Sequence, residues 1–173
     1  SGGLVGSEMC IRDRSKIEGY RSRAIYKLKE IDEKFKIFKN TTSIIDLGAA
    51  PGSWSQYIIR QYKKSLVLAI DLLDFEHIDK VNKIVGDFTK SENKEKIKNF
   101  FNKKVDVVIS DMAVNTTGNK NLDAIVTGEL CIEAMEFAFE MLDKKGKFVS
   151  KIFMGSSFNE IVADAKKKFR EVN

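Results

Sequence analysis

Ile44-Ile45-Asp46-Leu47-Gly48-Ala49-Ala50-Pro51-Gly52-Ser53-Trp54 is an apolar run that breaks into a turn of small residues and continues into a helical pattern. Such a run reads as a strand, and a strand feeding a helix through a glycine turn is the architecture of a pocket for a nucleotide-type cofactor. Gly48 and Gly52 can take backbone angles closed to other residues, and Ala49 and Ala50 let a ligand lie close to the main chain. The spacing G-x-x-x-G with Pro51 inside it does not meet the dinucleotide fingerprint G-x-G-x-x-G, which argues against a dehydrogenase. A tight structural connection remains the alternative for the turn alone.

Outward from this turn, strands and helices alternate. Apolar Ala24, Leu28, Ile31, Phe35 and Phe38 recur at three- and four-residue steps and predict an amphipathic helix over Ser22 to Phe38, with Lys27 at the edge of its stripe. Strands are predicted at Ser43 to Leu47, Leu66 to Ile70, Lys83 to Val85, Val105 to Ile109 and Lys147 to Phe153. Helices are predicted at Trp54 to Tyr62, Asn93 to Asn102 and Leu122 to Leu142. The long helix takes its stripe from Leu122, Ile125, Val126, Leu130, Ala134, Phe137, Ala138, Met141 and Leu142, with Cys131 on the apolar side. A last helix opens on the capping box Ser157-Phe158-Asn159-Glu160. This alternation means crossover connections: an α/β, Rossmann-like, mainly parallel sheet with helices on both faces. Ligands of such sheets bind beyond the carboxyl ends of the strands, where Asp71, Asp87, Asp111 and Lys151 fall, with Asp46 inside the first strand. One strand-end Asp is commonly a turn residue, but four ionisable groups on one rim point to a site.

The 173 residues suit one domain, and 43% apolar with 32% charged residues describes an ordinary globular composition. No stretch approaches the roughly 18 apolar residues of a membrane span, and no signal segment opens the chain, so a cytoplasmic, non-membrane protein is expected. Cys10, Cys131 and the lone His77 do not make a metal cluster, and no metal is expected. The net charge of +5 sits near the N-terminus: Arg12 to Lys39 holds ten basic and five acidic residues, and the remainder is balanced. Such a block is either a solvated face or a contact with a phosphate backbone, in which Arg21 and Arg23 would take part. Ser7-Glu8-Met9-Cys10-Ile11-Arg12-Asp13-Arg14 resembles the translation of a sequencing-library adapter. Residues 1–14 are therefore expected to be a non-native tail, and 15–173 the domain.

Arg21-Ser22-Arg23-Ala24-Ile25-Tyr26-Lys27-Leu28, Asp46 to Gln56, Asp71-Leu72-Leu73, Gly86-Asp87-Phe88, Ser110-Asp111-Met112-Ala113 and Lys151-Ile152-Phe153 occur in the order of one family. In these stretches the chain resembles the FtsJ family of ribose 2′-O-methyltransferases, and within it the bacterial branch acting on large-subunit ribosomal RNA. The resemblance covers the chain from Tyr20 onward. It implies S-adenosylmethionine as cofactor, with Gly52 and Trp54 at its turn, Asp71 at its ribose, Asp87 beside its adenine and Asp111 near its methionine portion. It also implies catalysis by Lys27, Asp111 and Lys151 together with a Glu on a strand beyond Asn173, so that the domain is expected to be truncated at its C-terminus. Ribosomal RNA, a uridine of the large subunit, is the implied substrate, and a monomer the implied state.

A ribose hydroxyl is a poor nucleophile, so the site must take or orient its proton. Lys151 is the candidate base if burial and the like charge of Lys27 lower its pKa, with Asp111 positioning it. For Trp54 the bland reading is helix–sheet packing, and for Lys27 an exposed helix lysine. Departures from the family pattern are Val114 for Pro, Ser53 for Gly and Met154 for Gln. A transfer RNA 2′-O-methyltransferase, and from another class a cofactor- and RNA-binding module without catalysis, remain alternative readings.

Overall fold

The computed structural model describes residues 11, 13–112, 117–152, 154–155 and 157–173. Most of the expected tail, and Ala113, Val114 and Phe153, lie outside the described residues. Strands β1 (Ser43–Leu47), β2 (Leu66–Asp71), β3 (Val81–Val85), β4 (Val105–Ser110) and β5 (Leu142–Ser150) alternate with helices α1 (Ile25–Phe35), α2 (Ser53–Gln61), α3 (Ser91–Phe101), α4 (Lys120–Met141) and α5 (Phe158–Lys168). The strands form one sheet in the order β3-β2-β1-β4-β5, and every neighbouring pair is parallel.

Every residue of β1 is buried, as a central strand covered on both faces requires. Ile44 packs with Val67, Ala69, Val107 and Ile109 against α1 and α2, through Ile25, Leu28, Trp54, Tyr57 and Ile58. Ile45 and Leu47 face the other way and join Leu68, Ile70 and Val108 under α3 and α4, with Ile97, Phe101, Ala134, Phe137 and Met141. This period-two division makes two cores from one sheet. Cys131 is buried on α4 beside Met135 and Ile161, where α5 docks. Among the described residues no helix is long and apolar enough to cross a membrane.

Four local expectations are corrected. Helix α1 is shorter than Ser22 to Phe38 because Lys36 turns left-handed (φ 53°) and Asp32 Oδ1 accepts from the Phe38 N–H, so Ile37 and Phe38 enter the core as loop residues. Its buried face is Ile25, Leu28 and Asp32, while Phe35 is exposed. In α4, Leu122 and Ile125 are exposed, because the first turns turn Asp123, Ala124, Thr127 and Gly128 inward; Asp123 there accepts from the N–H and hydroxyl of Thr117. Helix α4 runs directly into β5, which begins at Leu142 and shifts register before Lys147 pairs with Val107. At α5 the capping box is absent: Ser157 is already αR and makes no side-chain cap bond, its Cβ lying against Gly128.

Candidate active site

Register decides what shares the rim. Leu47 pairs with Ile70 and with Ser110, Asp71 with Val85, and Ser110 with Ser150. The residues that follow, Gly48, Asp87, Asp111 and Lys151, therefore leave the sheet at the same edge as Asp71.

The turn after β1 requires its glycines. Gly48 (φ 66°) and Gly52 (φ 106°) occupy angles that side chains disfavour. A Cβ at Gly48 would overlap the Met112 side chain, and one at Gly52 would lie 2.5 Å from Ile78 Cδ1. Space that the sequence suggested for a ligand is thus partly taken by the protein's own packing. Asp71 Oδ2 accepts from the Ala50 N–H (2.9 Å) and Oδ1 from the Leu73 N–H (2.9 Å), so this carboxylate shapes both the turn and the loop after β2. Ser53 is buried and shares a hydrogen bond with Ser22 (2.8 Å), docking the segment before α1 onto the turn.

Beside the turn lies a cleft of about 370 Å³ lined by Ala24, Ile31, Trp54, Val149 and Ile152 together with the polar Lys27, Asp111, Ser150 and Lys151. Trp54 is 5% exposed, and its indole N–H donates to the Ala24 carbonyl (2.9 Å), so it fastens α2 to the start of α1 while forming one wall. Lys151 Nζ lies 3.6 Å from Asp111 Oδ1. Burial raises the Asp111 pKa, and the charge and hydrogen bond of Lys151 oppose that rise. The expected burial of Lys151 is not found: its side chain is 40% exposed. Lys27 is exposed and sits 3.6 Å from Glu30 Oε2.

Asp87 stands apart from this cleft. Its Oδ1 accepts from the N–H (2.9 Å) and hydroxyl (2.7 Å) of Thr89, and the Thr89 hydroxyl is the main cause holding its pKa down. Two groups matter more than the sequence suggested. Asp46, fully buried in β1, accepts from the Ser55 hydroxyl (2.7 Å), and desolvation raises its pKa to about 7, with the charges of Asp111 and Asp71 adding to the rise. The Arg21 guanidinium donates to the carbonyls of Pro51, Glu76 and His77 at 2.7–2.8 Å. An acid in the middle of an apolar strand was the available signal for Asp46; none marked the partners of Arg21.

The sequence profile of FtsJ-like methyltransferases matches residues 20–173. The chain belongs to the FtsJ-like methyltransferase family. Among its relatives, the ribosomal RNA large subunit methyltransferase E of Pelagibacter ubique is 64% identical over 159 residues, covering 92% of this chain and 78% of that protein. The protein of the same name from Rickettsia bellii is 44% identical over 165 residues, covering 92% and 73%. In three dimensions, the crystal structure of a ribosomal RNA methyltransferase from Plasmodium falciparum superposes with a TM-score of 0.83 at 33% identity, covering 89% of this chain and 90% of that one. The FtsJ-like domain thus has the Rossmann-like methyltransferase fold, a five-stranded parallel sheet with helices on both faces.

Proposed function

We propose that this FtsJ-like methyltransferase transfers a methyl group from S-adenosylmethionine to a ribose 2′-hydroxyl of ribosomal RNA, in the large subunit. The observation that carries the reading is the convergence of Lys27, Asp111 and Lys151 on one cleft beside the glycine turn. The relatives named for large-subunit RNA support the choice of substrate.

The donor supplies a methyl group on a sulfonium centre, which carries positive charge until the carbon–sulfur bond breaks. The chain's residues suit such a group: Asp46, Asp71 and Asp111 are close enough to the turn for the charges of the latter two to act on the first. The carboxylates of Asp71 and Asp111 favour a cation there, while Asp46, with its pKa raised to about 7, contributes only in part. Asp71, already holding Ala50 and Leu73, keeps further lone pairs for ribose hydroxyls. Gly52 and Trp54 frame the turn, and Asp87 takes the adenine side.

On the acceptor side, the chain's own residues would take the proton of the 2′-hydroxyl as its oxygen is methylated, with the donor's thioether as the other product. Lys151 is assigned as the base and Asp111 as the group that aims it. Lys27, across the cleft, orients the hydroxyl or its neighbouring phosphate. The Lys151 side chain is 40% exposed at the cleft, which leaves its amine within reach of a ribose hydroxyl. The assay is tritiated methyl transfer to undermethylated large ribosomal subunits, with transfer RNA as comparison. Methylation of transfer RNA alone would reassign the substrate.

A further inference from the structure

We propose that Arg21 is a positioning residue for the donor pocket, a clamp joining the glycine turn to the loop over residues 72–80; the proposal rests on the methyltransferase reading above. The two backbone stretches it joins leave neighbouring strands. Arg21 Nη1 donates to the carbonyls of Pro51 (2.8 Å) and Glu76 (2.7 Å), and Nη2 to that of His77 (2.8 Å). Its main-chain N–H donates to Gln56 Oε1 (3.0 Å), which fixes the arginine over the first turn of α2. Beneath the guanidinium, Gly52 is packed by Ile78 and Phe75.

The bridge is matched by another made from inside the sheet, where Asp71 Oδ2 holds the Ala50 N–H. The glycine turn is therefore tied to the β2 side twice, through a peptide N–H by a carboxylate and through a carbonyl by a guanidinium. Three carbonyl acceptors from two loops suit a planar fork with five donors, and one ammonium cannot reproduce that geometry. Because the acceptors are main-chain carbonyls, the clamp reads backbone position and not the side chains of Glu76 or His77. Arg21 also precedes α1, the helix of Lys27, so it joins the donor pocket to the element that carries a residue of the cleft.

The test compares Arg21→Lys and Arg21→Ala with Arg60→Ala in the same chain. Arg60 is the control because it donates to the carbonyls of Glu18 (3.0 Å) and Gly19 (2.9 Å), anchoring the same segment to α2 without touching either donor loop. S-adenosylmethionine binding is followed by calorimetry and by the fluorescence of Trp54, the one tryptophan of the chain. Arg21→Lys should raise the donor Kd about tenfold, the scale of losing charge-assisted bonds, and leave the RNA Kd within about twofold with its salt slope unchanged. Arg21→Ala should act in the same sense and further, while Arg60→Ala leaves the donor Kd at the parent value. Amide hydrogen exchange over residues 72–80 should speed up in the Arg21 variants and not in Arg60→Ala. Unchanged donor Kd and unchanged exchange in Arg21→Lys overturn the clamp, as does a loss of RNA affinity with a flatter salt slope and normal donor binding. If the parent binds no S-adenosylmethionine, the methyltransferase reading fails, and the exchange rates still decide whether Arg21 holds the two loops.

Discussion

Asp111 and Lys151 follow residues paired across two adjacent parallel strands, Ser110 of β4 and Ser150 of β5, and their side chains meet at 3.6 Å where both strands leave the sheet. The Lys151 N–H donates to the Ser110 carbonyl (2.9 Å), so the ladder extends one step past the strand and sets the separation of the pair. Forty residues apart in sequence, the two are neighbours because of β-sheet register. A one-residue slip would turn one of them to the opposite face.

Lys151→Ala should lower methyl transfer by about 100-fold or more with donor affinity nearly unchanged, the usual scale for a positioned proton-transfer group. Single-turnover rates and calorimetry separate the two effects. Parent-level turnover would discard Lys151 as the base.

Asp71→Ala should weaken S-adenosylmethionine binding roughly tenfold or more, since it removes the proposed ribose acceptor and also frees the Ala50 and Leu73 N–H groups that the carboxylate holds. Binding of NAD should be undetectable in parent and variant. Equal affinity for the two cofactors in the parent would remove the donor assignment.

The Asp111 carboxyl should titrate above the ordinary aspartate range, because burial raises its pKa against the opposing charge and hydrogen bond of Lys151. Carbon-detected NMR of the carboxyl group, with Asp111→Asn to assign the signal, reads the midpoint. A midpoint at or below the ordinary range would show that the charge of Lys151 outweighs burial.

Stability should fall as pH rises, because of Asp46. Its folded pKa of about 7 exceeds the unfolded value near 4, so the native state holds the extra proton and loses stability between those limits, levelling off above them. Asp46→Asn can still accept from Ser55 and cannot ionise. Its Tm should vary less between pH 5 and 8 than the parent's. A pH slope equal to the parent's would show that another group carries the linkage.

The buried carboxylate of Asp32 accepts from Tyr57 (2.8 Å), Tyr62 (2.6 Å) and the Phe38 N–H (3.2 Å). Burial is the main reason both phenols are raised, Tyr62 to about 12, so both stay protonated donors in neutral solution. Asp32→Ala leaves these donors without an acceptor and should cost about 3 kcal/mol in urea unfolding. A cost below about 1 kcal/mol would mean that water replaces the carboxylate.

Much of this protein was legible in one dimension because strand and helix periods are local. Ile44 to Leu47 and Val105 to Ile109 declare buried parallel strands by composition, and the glycine turn declares the end of the sheet that holds the site. Period and turn chemistry do not depend on distant residues, and the family motifs carried Lys27, Asp111 and Lys151 to one rim. What the tertiary structure alone decided is the use of charged groups. Arg21 and Asp32 lie in a basic, amphipathic segment that reads as a solvated face, yet one grips three carbonyls and the other anchors two tyrosines. Their partners lie 25 to 56 residues away. Likewise the sequence places Lys151 at a strand end, but only the packed strands bring it to Asp111 at the cleft and leave its side chain 40% exposed. Hydrogen-bond partners and burial are properties of elements packed together, and no local pattern encodes them.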